Sequence, residues 1–298
     1  MRQELTTFAG VAAPRQHTPG PRAWLLVSPL LLWIAAFVVA PALIMLVYGF
    51  CERGSLGGVV FRFTLDNYAA VFSPLYLRIL ARSVLYAGLT TLACLILAYP
   101  TAFFIGQAAP QRQRLLLMLV MIPFWTSFLI RTHAWVTILK SEGVLNAALV
   151  QLGVIEAPLE LLYTPGAVLV GLVYTFLPFM ILPIYTSVER LDRALVDAAF
   201  DLGARPLRTF ARVILPLTGP GIGAGVLLVF VPALGLYAVN DILGGGSADM
   251  IGNVIENQFK GGARNWPFGA ALGTVLMAAF VAAMVLGERR GRAREAAP

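Results

Sequence analysis

Long uncharged segments are the feature that most constrains the fold of this chain. The first, residues 24–50, contains no charged side chain, and about 20 apolar residues in a helix cross the hydrocarbon core of a bilayer. This segment is too long for the apolar core of a signal peptide, so we predict an uncleaved first span. Five more apolar segments follow, at 83–106, at 115–139, and within 161–188, 213–240 and 266–287.

Composition and charge favour an integral membrane protein. Hydrophobic residues make up 59% of the chain and charged residues 12%, whereas about a quarter of an ordinary soluble domain is charged. Most of the 22 Lys and Arg residues lie in segments 1–23, 107–114, 189–212 and 288–298, and cytoplasmic segments carry such an excess. Topology therefore explains the net charge of +7 better than a nucleic-acid partner does.

These observations predict an all-α, six-span bundle in one domain. The domain covers residues 24–287, between an N-terminal tail at 1–23 and a basic tail at 288–298. An even number of spans places both ends on one side of the membrane. The distribution of basic residues predicts that this side is the cytoplasm, and that the stretch 189–212 faces it as well.

The stretch 189–220 is a long charged segment between apolar ones. Gly203 can adopt the left-handed conformation that ends a helix, and Pro206 suits the first turn of the next one. The sequence thus predicts a helix, a sharp corner and a second helix. Physics alone leaves two alternatives open, a surface helix whose arginines reach lipid headgroups and a docking element. The apolar residues of the first helix share one face: Leu191, Leu195, Ala198, Ala199 and Leu202.

The same stretch resembles a family motif. Asp197-Ala198-Ala199, then Gly203, then Ile214-Leu215-Pro216 is similar to the EAA loop of bacterial ABC-importer permeases, with Asp in place of the usual Glu. In that family the loop forms a coupling helix that sits in a cleft of the ATP-hydrolysing subunit. The resemblance implies a cytoplasmic coupling loop at 189–216. The residues that it implicates are Asp197, Ala198, Ala199, Gly203, Arg205 and Pro216.

Other segments resemble the polyamine-type branch of these permeases. Residues 123–135 match its P-x-W-T-S-x-L-[IV]-R-x-Y-x-W pattern with His133 at the Tyr position, and 230–245, 250–253 and 265–269 are similar to it as well. Asn240 stands where Pro is usual. The resemblance implies the first of two permease subunits of a spermidine/putrescine-type importer. Side chains that could line a substrate pathway by charge or cation–π contact are Trp125, Arg131, His133, Tyr174, Tyr237 and Asp241.

An interfacial role is the alternative for these pathway candidates. The third span could end near residue 130, in which case Arg131 and His133 would reach the membrane interface rather than a cavity. Aromatic side chains at span ends commonly form an interfacial belt. The residues themselves leave the two roles open.

The sequence lacks the motifs of an ATPase or a metalloenzyme. Its lysines are Lys140 and Lys260, and neither ends a Walker A motif. We therefore expect no enzyme activity and no cofactor on this chain, with ATP and Mg bound by a partner ATPase. His17 and His133 do not cluster with cysteines or carboxylates, so no metal site is expected.

The resemblance also implies partners and a location. The expected partners are a second permease subunit, two ATP-binding subunits, an extracytoplasmic substrate-binding protein and membrane lipid, and the expected location is the bacterial cytoplasmic (inner) membrane. Two alternatives belong to other classes. A stand-alone secondary transporter or channel would need acidic residues within the spans, and a membrane-embedded enzyme would need paired carboxylates or a nucleophile with a base there.

Overall fold

The computed structural model describes residues 21–55, 57–246, 249–260 and 264–295. The helices of the first half are α1 Pro21–Ile34, α2 Ala40–Gly49, α3 Asp66–Val71, α4 Pro74–Gln107, α5 Pro110–Met121, α6 Phe128–Leu139 and α7 Val144–Gln151. Those of the second half are α8 Pro165–Glu189, α9 Arg193–Asp201, α10 Pro206–Thr209, α11 Leu215–Leu217, α12 Gly219–Gly235, α13 Ala238–Gly244, α14 Ile251–Lys260 and α15 Trp266–Glu295. The fold is thus all-α apart from one small hairpin.

Short irregular helices join several of these elements. π-Helical turns at Ala35–Val39 and Phe210–Ile214 connect α1 to α2 and α10 to α11, and a 3₁₀ turn at Ile122–Trp125 follows α5. The hairpin pairs β1 Cys51–Arg53 with β2 Val59–Phe63 in antiparallel register.

The helices support the predicted set of apolar spans. Four of them are long and apolar enough to cross a membrane: Val27–Gly49, Pro74–Gln107, Pro165–Glu189 and Trp266–Gly287. Two bent helix pairs supply two further spans if each pair counts as one. The fourth and sixth predicted segments coincide with α8 and with the apolar part of α15.

The third span is a bent pair of helices rather than one continuous helix. The helical segments Pro110–Trp125 and Phe128–Gln151 meet at 91°. Thr126 at the break has ψ 150°, outside the helical region, and Pro123 just before it lacks the N–H of a regular helical turn. The predicted segment 115–139 lies within this bent pair, and the bend itself was not predicted.

The helix of the fifth span lies within the predicted segment 213–240. This helix, α12, ends at Gly235, because Leu236 adopts an extended conformation with ψ 101°. The predicted limit at residue 240 therefore falls inside α13. At its other end, α12 meets the segment Pro206–Leu217 at 64°.

Helix α8 is the centre of the bundle. It packs against α4, α12 and α13, and its fully buried residues include Leu172, Met180 and Ile184. Gly225 of α12 lies so close to α8 that a Cβ there would be 2.6 Å from Met180 Sδ. Small residues at this contact let the two backbones approach each other.

The first span lies at the edge of the bundle. None of its most apolar 18-residue window is buried within the chain, and α2 packs against α15. Residues 1–20 of the predicted N-terminal tail lie outside the described residues. At the other end, α15 continues as a helix to Glu295, into the predicted basic tail.

Candidate coupling surface and substrate pathway

The predicted helix–corner–helix is present between α8 and α12. Asp192 caps α9, its carboxylate accepting a hydrogen bond from the Ala194 N–H at 2.9 Å. Gly203 then adopts φ +80°, and its N–H donates to the Phe200 carbonyl oxygen at 2.8 Å. Pro206 begins α10. The corner that Gly203 and Pro206 predicted is therefore confirmed.

The apolar residues beside this corner point away from the chain. Leu202 is 88% exposed and Leu207 84% exposed, and α9 has no buried residue. The apolar face that the sequence predicted for α9 is therefore uncovered within this subunit. Of the implicated coupling residues, Asp197, Ala198, Gly203, Arg205 and Pro216 are exposed and Ala199 is half-buried.

A buried contact connects the second half of the loop to α4. The hydroxyl groups of Tyr99 and Thr218 lie 3.0 Å apart, and Thr218 has no exposed surface. The Tyr99 ring also makes an edge contact with Phe210, at 5.4 Å between centroids. A displacement of the loop would therefore act directly on the end of α4.

Arg131 stabilises the bend in the third span. Its Nη1 donates a hydrogen bond to the Pro123 carbonyl oxygen at 2.6 Å. Its guanidinium carbon lies 5.4 Å from the Phe124 ring centroid and 5.8 Å from that of Tyr174, which are distances for cation–π attraction. Of the pathway candidates, the structure thus brings Arg131 and Tyr174 together.

Two other candidates on this span are not part of that group. Trp125 is 81% exposed. His133 is exposed, and its Nδ1 lies 2.9 Å from the Leu129 carbonyl oxygen of its own helix. Neither makes a described contact with Arg131 or Tyr174.

Tyr237 and Asp241 meet in a polar cluster formed by α13 and α14. The buried Asn253 is its centre, because its Nδ2 donates to the Asp241 carboxylate and to the Tyr237 carbonyl oxygen, the latter at 3.2 Å. Its Oδ1 accepts a hydrogen bond from Asn240 Nδ2 at 2.7 Å. Asn240 is thus a structural partner of Asn253, which explains how a polar residue is accommodated at this position.

Sequence reasoning missed Glu256 and Lys260, which complete the cluster. Lys260 Nζ lies 2.7 Å from Glu256 Oε1, 3.4 Å from the Tyr237 hydroxyl and 5.1 Å from the centroid of its ring. The Glu–Lys spacing of four on a helix could have indicated the ion pair. The contact between Lys260 and Tyr237 joins residues 23 apart in the sequence, and no local sequence pattern indicates it.

The electrostatic environment of the cluster is anionic. Partial desolvation raises the pKa of Asp241, the Asn253 hydrogen bond opposes this, and Glu256 and Asp249 raise it further. The hydrogen bonds to Glu256 and Tyr237 raise the pKa of Lys260 and so keep its ammonium charged. In the described part of the chain, no group of three or more His, Cys, Asp or Glu residues could hold a metal ion.

Comparison with solved structures defines the class of this fold. A crystal structure of a bacterial ABC transporter involved in the import of the acidic polysaccharide alginate matches with TM-score 0.68 at 22% identity, over 93% of this chain and 97% of that one. The bacterial alginate ABC transporter in complex with an alginate pentasaccharide-bound periplasmic protein matches with TM-score 0.67, also at 22% identity, over 87% and 91%. The fold is that of an ABC-importer permease.

Sequence relatives identify the family within this class. The spermidine/putrescine transport system permease protein PotB of Escherichia coli K12 is 47% identical over 244 residues, 82% of this chain and 88% of that protein. PotB of Haemophilus influenzae is 45% identical over 252 residues, 84% and 88%. The inner membrane ABC transporter permease protein YdcU of E. coli is 34% identical over 269 residues, 86% and 85%. No protein-family model matches the chain.

The chain therefore belongs to the PotB family of ABC-transporter permease subunits. This confirms the permease predicted from the EAA-like segment and from residues 123–135. These relatives are permease proteins of ABC transport systems, which differ from the two alternatives, a stand-alone transporter and a membrane-embedded enzyme.

Proposed function

We propose that this chain is one of two permease subunits of an ATP-driven importer of polyamines or related small organic cations in the bacterial inner membrane. The observation that carries the cargo class is the 47% identity with a spermidine/putrescine permease over most of both chains. The anionic cluster around Asp241 and Tyr237 supports it, because a carboxylate and an aromatic ring both attract an alkylammonium group. No bond is made or broken by this chain.

The loop at 189–216 would transmit force from the ATPase. The uncovered Leu202 and Leu207 flank the Gly203 corner, and exposed apolar residues at a projecting corner are suited to a cleft in another protein. Two ATP-binding subunits would hold ATP and Mg. This arrangement requires the loop and both chain ends to be cytoplasmic, as the basic residues predict.

The cargo would pass the cluster on α13 and α14 after release from an extracytoplasmic binding protein. Asp241 is exposed, so its carboxylate is accessible to a cation, and the hydrogen bond from Asn253 fixes its direction. Arg131 would repel cationic cargo. Its contacts with Pro123 and Tyr174 instead give it the role of holding the bend and the tyrosine ring in place.

Reconstitution tests this function. The chain would be produced together with candidate permease, ATPase and binding-protein subunits from the same genome, and the complex placed in liposomes. We expect ATP-dependent uptake of radiolabelled putrescine or spermidine that excess unlabelled polyamine suppresses and a neutral sugar does not. An intact, ATP-hydrolysing complex without amine uptake, together with a binding protein without amine affinity, would refute the cargo class and leave the permease assignment in place.

A cysteine-labelling experiment tests the orientation. Cys51 and Cys94 would be replaced, and Phe200→Cys introduced on the exposed surface of α9. We expect an impermeant maleimide to label this cysteine in inverted membrane vesicles but not in intact spheroplasts. Labelling from outside intact cells would show that the loop is not cytoplasmic.

A further inference from the structure

The ammonium group of Lys260 has three partner groups, which belong to two residues. Glu256 of α14 provides a carboxylate oxygen at 2.7 Å. Tyr237, which precedes α13, provides its hydroxyl at 3.4 Å and its ring face at 5.1 Å. A carboxylate and an aromatic face around one ammonium are the groups that recognise amines in binding sites.

A simple surface ion pair does not account for this geometry. Pairs of Glu and Lys four residues apart stabilise a helix only weakly and need no third partner. Here the lysine also lies over a ring that is distant in sequence, and the Glu256 side chain is only 16% exposed. Glu256 is also close enough to Asp241 to raise the pKa of that carboxyl group. One carboxylate, that of Glu256, therefore lies beside the exposed ammonium, and a second, that of Asp241, lies near Glu256.

We infer that Lys260 is an internal ligand of the cargo site. Its ammonium occupies the cradle formed by Tyr237 and Glu256 when no cargo is present, and a primary or secondary alkylammonium ion enters by displacing it. This inference rests on the proposed cargo class. It adds to the cargo site a residue that competes with the cargo. The consequence is weaker cargo binding than the cradle alone would give, which favours release of the cargo from this site.

The two lysines of the chain allow a direct test of displacement. The assembled complex in nanodiscs would be treated with an amine-acylating reagent at about pH 8, where a lysine is mainly protonated, and modification of Lys260 and Lys140 followed by mass spectrometry. The probe is N,N,N′,N′-tetramethyl-1,4-diaminobutane, which is cationic but cannot be acylated. We expect saturating probe to raise the modification rate of Lys260 about threefold or more, since release from Glu256 lowers its pKa. Lys140 should not respond.

A variant checks that the modification rate of Lys260 depends on its contact with Glu256. In Glu256→Gln we expect fast Lys260 modification without probe and little further increase with it. An unchanged Lys260 rate in the wild-type complex, under conditions where the probe inhibits putrescine uptake, would overturn the inference.

Cargo binding gives an independent measurement. Equilibrium dialysis of radiolabelled putrescine against the complex should show a Kd about three- to tenfold lower in Lys260→Met than in the wild type. The same substitution at the other lysine, Lys140→Met, should leave Kd unchanged. Lys260→Arg should keep a Kd near that of the wild type, because the arginine still competes with putrescine. Wild-type or weaker binding in Lys260→Met, or no binding to any of these complexes, would overturn the inference.

The two proposals fail in different ways. If the wild-type complex takes up no amine, the cargo class is wrong and the role of Lys260 is lost with it. If the wild type takes up putrescine but Lys260→Met binds it no more tightly, only the role of Lys260 is wrong.

Discussion

The two ends of α12 are built in opposite ways. Before it, the corner at Gly203 turns apolar side chains outward, with Leu202 and Leu207 almost fully exposed. After it, the cluster of α13 and α14 turns polar side chains toward each other, with Asn240 and Asn253 1% exposed. The first surface is left uncovered within this subunit, whereas the polar groups of the second bond to one another. One span thus joins an exposed apolar surface to a polar cluster.

The contacts of α12 indicate how the two ends communicate. Gly221 and Gly225 bring α12 close to Ser187 and Met180 of α8, and close packing of this kind transmits strain. Thr218 connects the loop end to α4 through Tyr99. A displacement at the corner would therefore act on packed helices rather than on a flexible linker.

The largest expected effect comes from Gly252, in the region of the polar cluster. A Cβ at this position would lie 2.5 Å from the Gly235 carbonyl oxygen, and backbone atoms cannot yield as a side-chain tip can. We expect Gly252→Ala to cost about 1–3 kcal/mol and to remove most folded protein from the membrane, measured by abundance and thermal stability in detergent. The matched control is Gly223→Ala on α12, where no atom lies within 4 Å. Equal abundance of the two variants would contradict the close contact.

Gly203→Asp should act on the docking surface alone. No atom lies within 4 Å of a Cβ at this position, but φ +80° costs a residue with a side chain about 1–2 kcal/mol. We expect normal membrane abundance and normal pairing with the partner permease, with uptake reduced at least tenfold. The checks are ATPase co-purification, ATP hydrolysis and uptake in the same preparation. Normal uptake would show that the glycine is dispensable for coupling, and loss of the protein would show a purely structural role.

Asp241→Asn should reduce uptake by a smaller factor than Gly203→Asp does. The amide keeps a partner for Asn253 but loses the charge, so we expect uptake to fall about three- to tenfold with normal abundance. Because the pKa of Asp241 is raised, its carboxylate is lost on acidification at a higher pH than that of an ordinary aspartate. Wild-type uptake should therefore decline as pH falls through this raised pKa, and the decline should be weaker in Asp241→Asn. Identical pH profiles would exclude Asp241 as the titrating group.

Arg208→Ala should have the smallest effect. Arg208 is exposed on α10, two residues beyond the helix start and away from the Gly203 turn. We expect uptake and ATPase co-purification within about twofold of the wild type, since exposed charges contribute little. A loss as large as that of Gly203→Asp would extend the docking surface along α10.

Local chemistry determined which of these features could be predicted from sequence. The Gly203 corner depends on two residues and their neighbours, so it was predictable. The bend near Pro123 was not, because prolines are compatible with intact membrane helices. Pro100 lies inside α4, and Pro178 and Pro183 lie inside α8, both continuous helices. Only the packing around residues 123–127 distinguishes the bend.

The candidate site was predictable only in part. Tyr237 and Asp241 were singled out by residue type and family resemblance, and the structure places them in one cluster through Asn253. Trp125 and His133 were singled out in the same way, but both side chains are exposed and lie outside this cluster. Glu256 and Lys260 belong to the cluster through a contact between α14 and Tyr237, which only tertiary structure shows.

The position of the first span has a consequence for biosynthesis. Its α2 portion packs against α15, with Gly49 next to Ala271, so the first and last described spans are neighbours in the fold. Chains emerge from the ribosome N-terminus first. Helix α2 therefore lacks its contact with α15 until α15 has been synthesised. Closing the bundle is a late, long-range step, and contacts of such sequence separation form slowly. A ribosome that stalls before α15 would leave a nascent chain whose first span lacks the helix that it packs against.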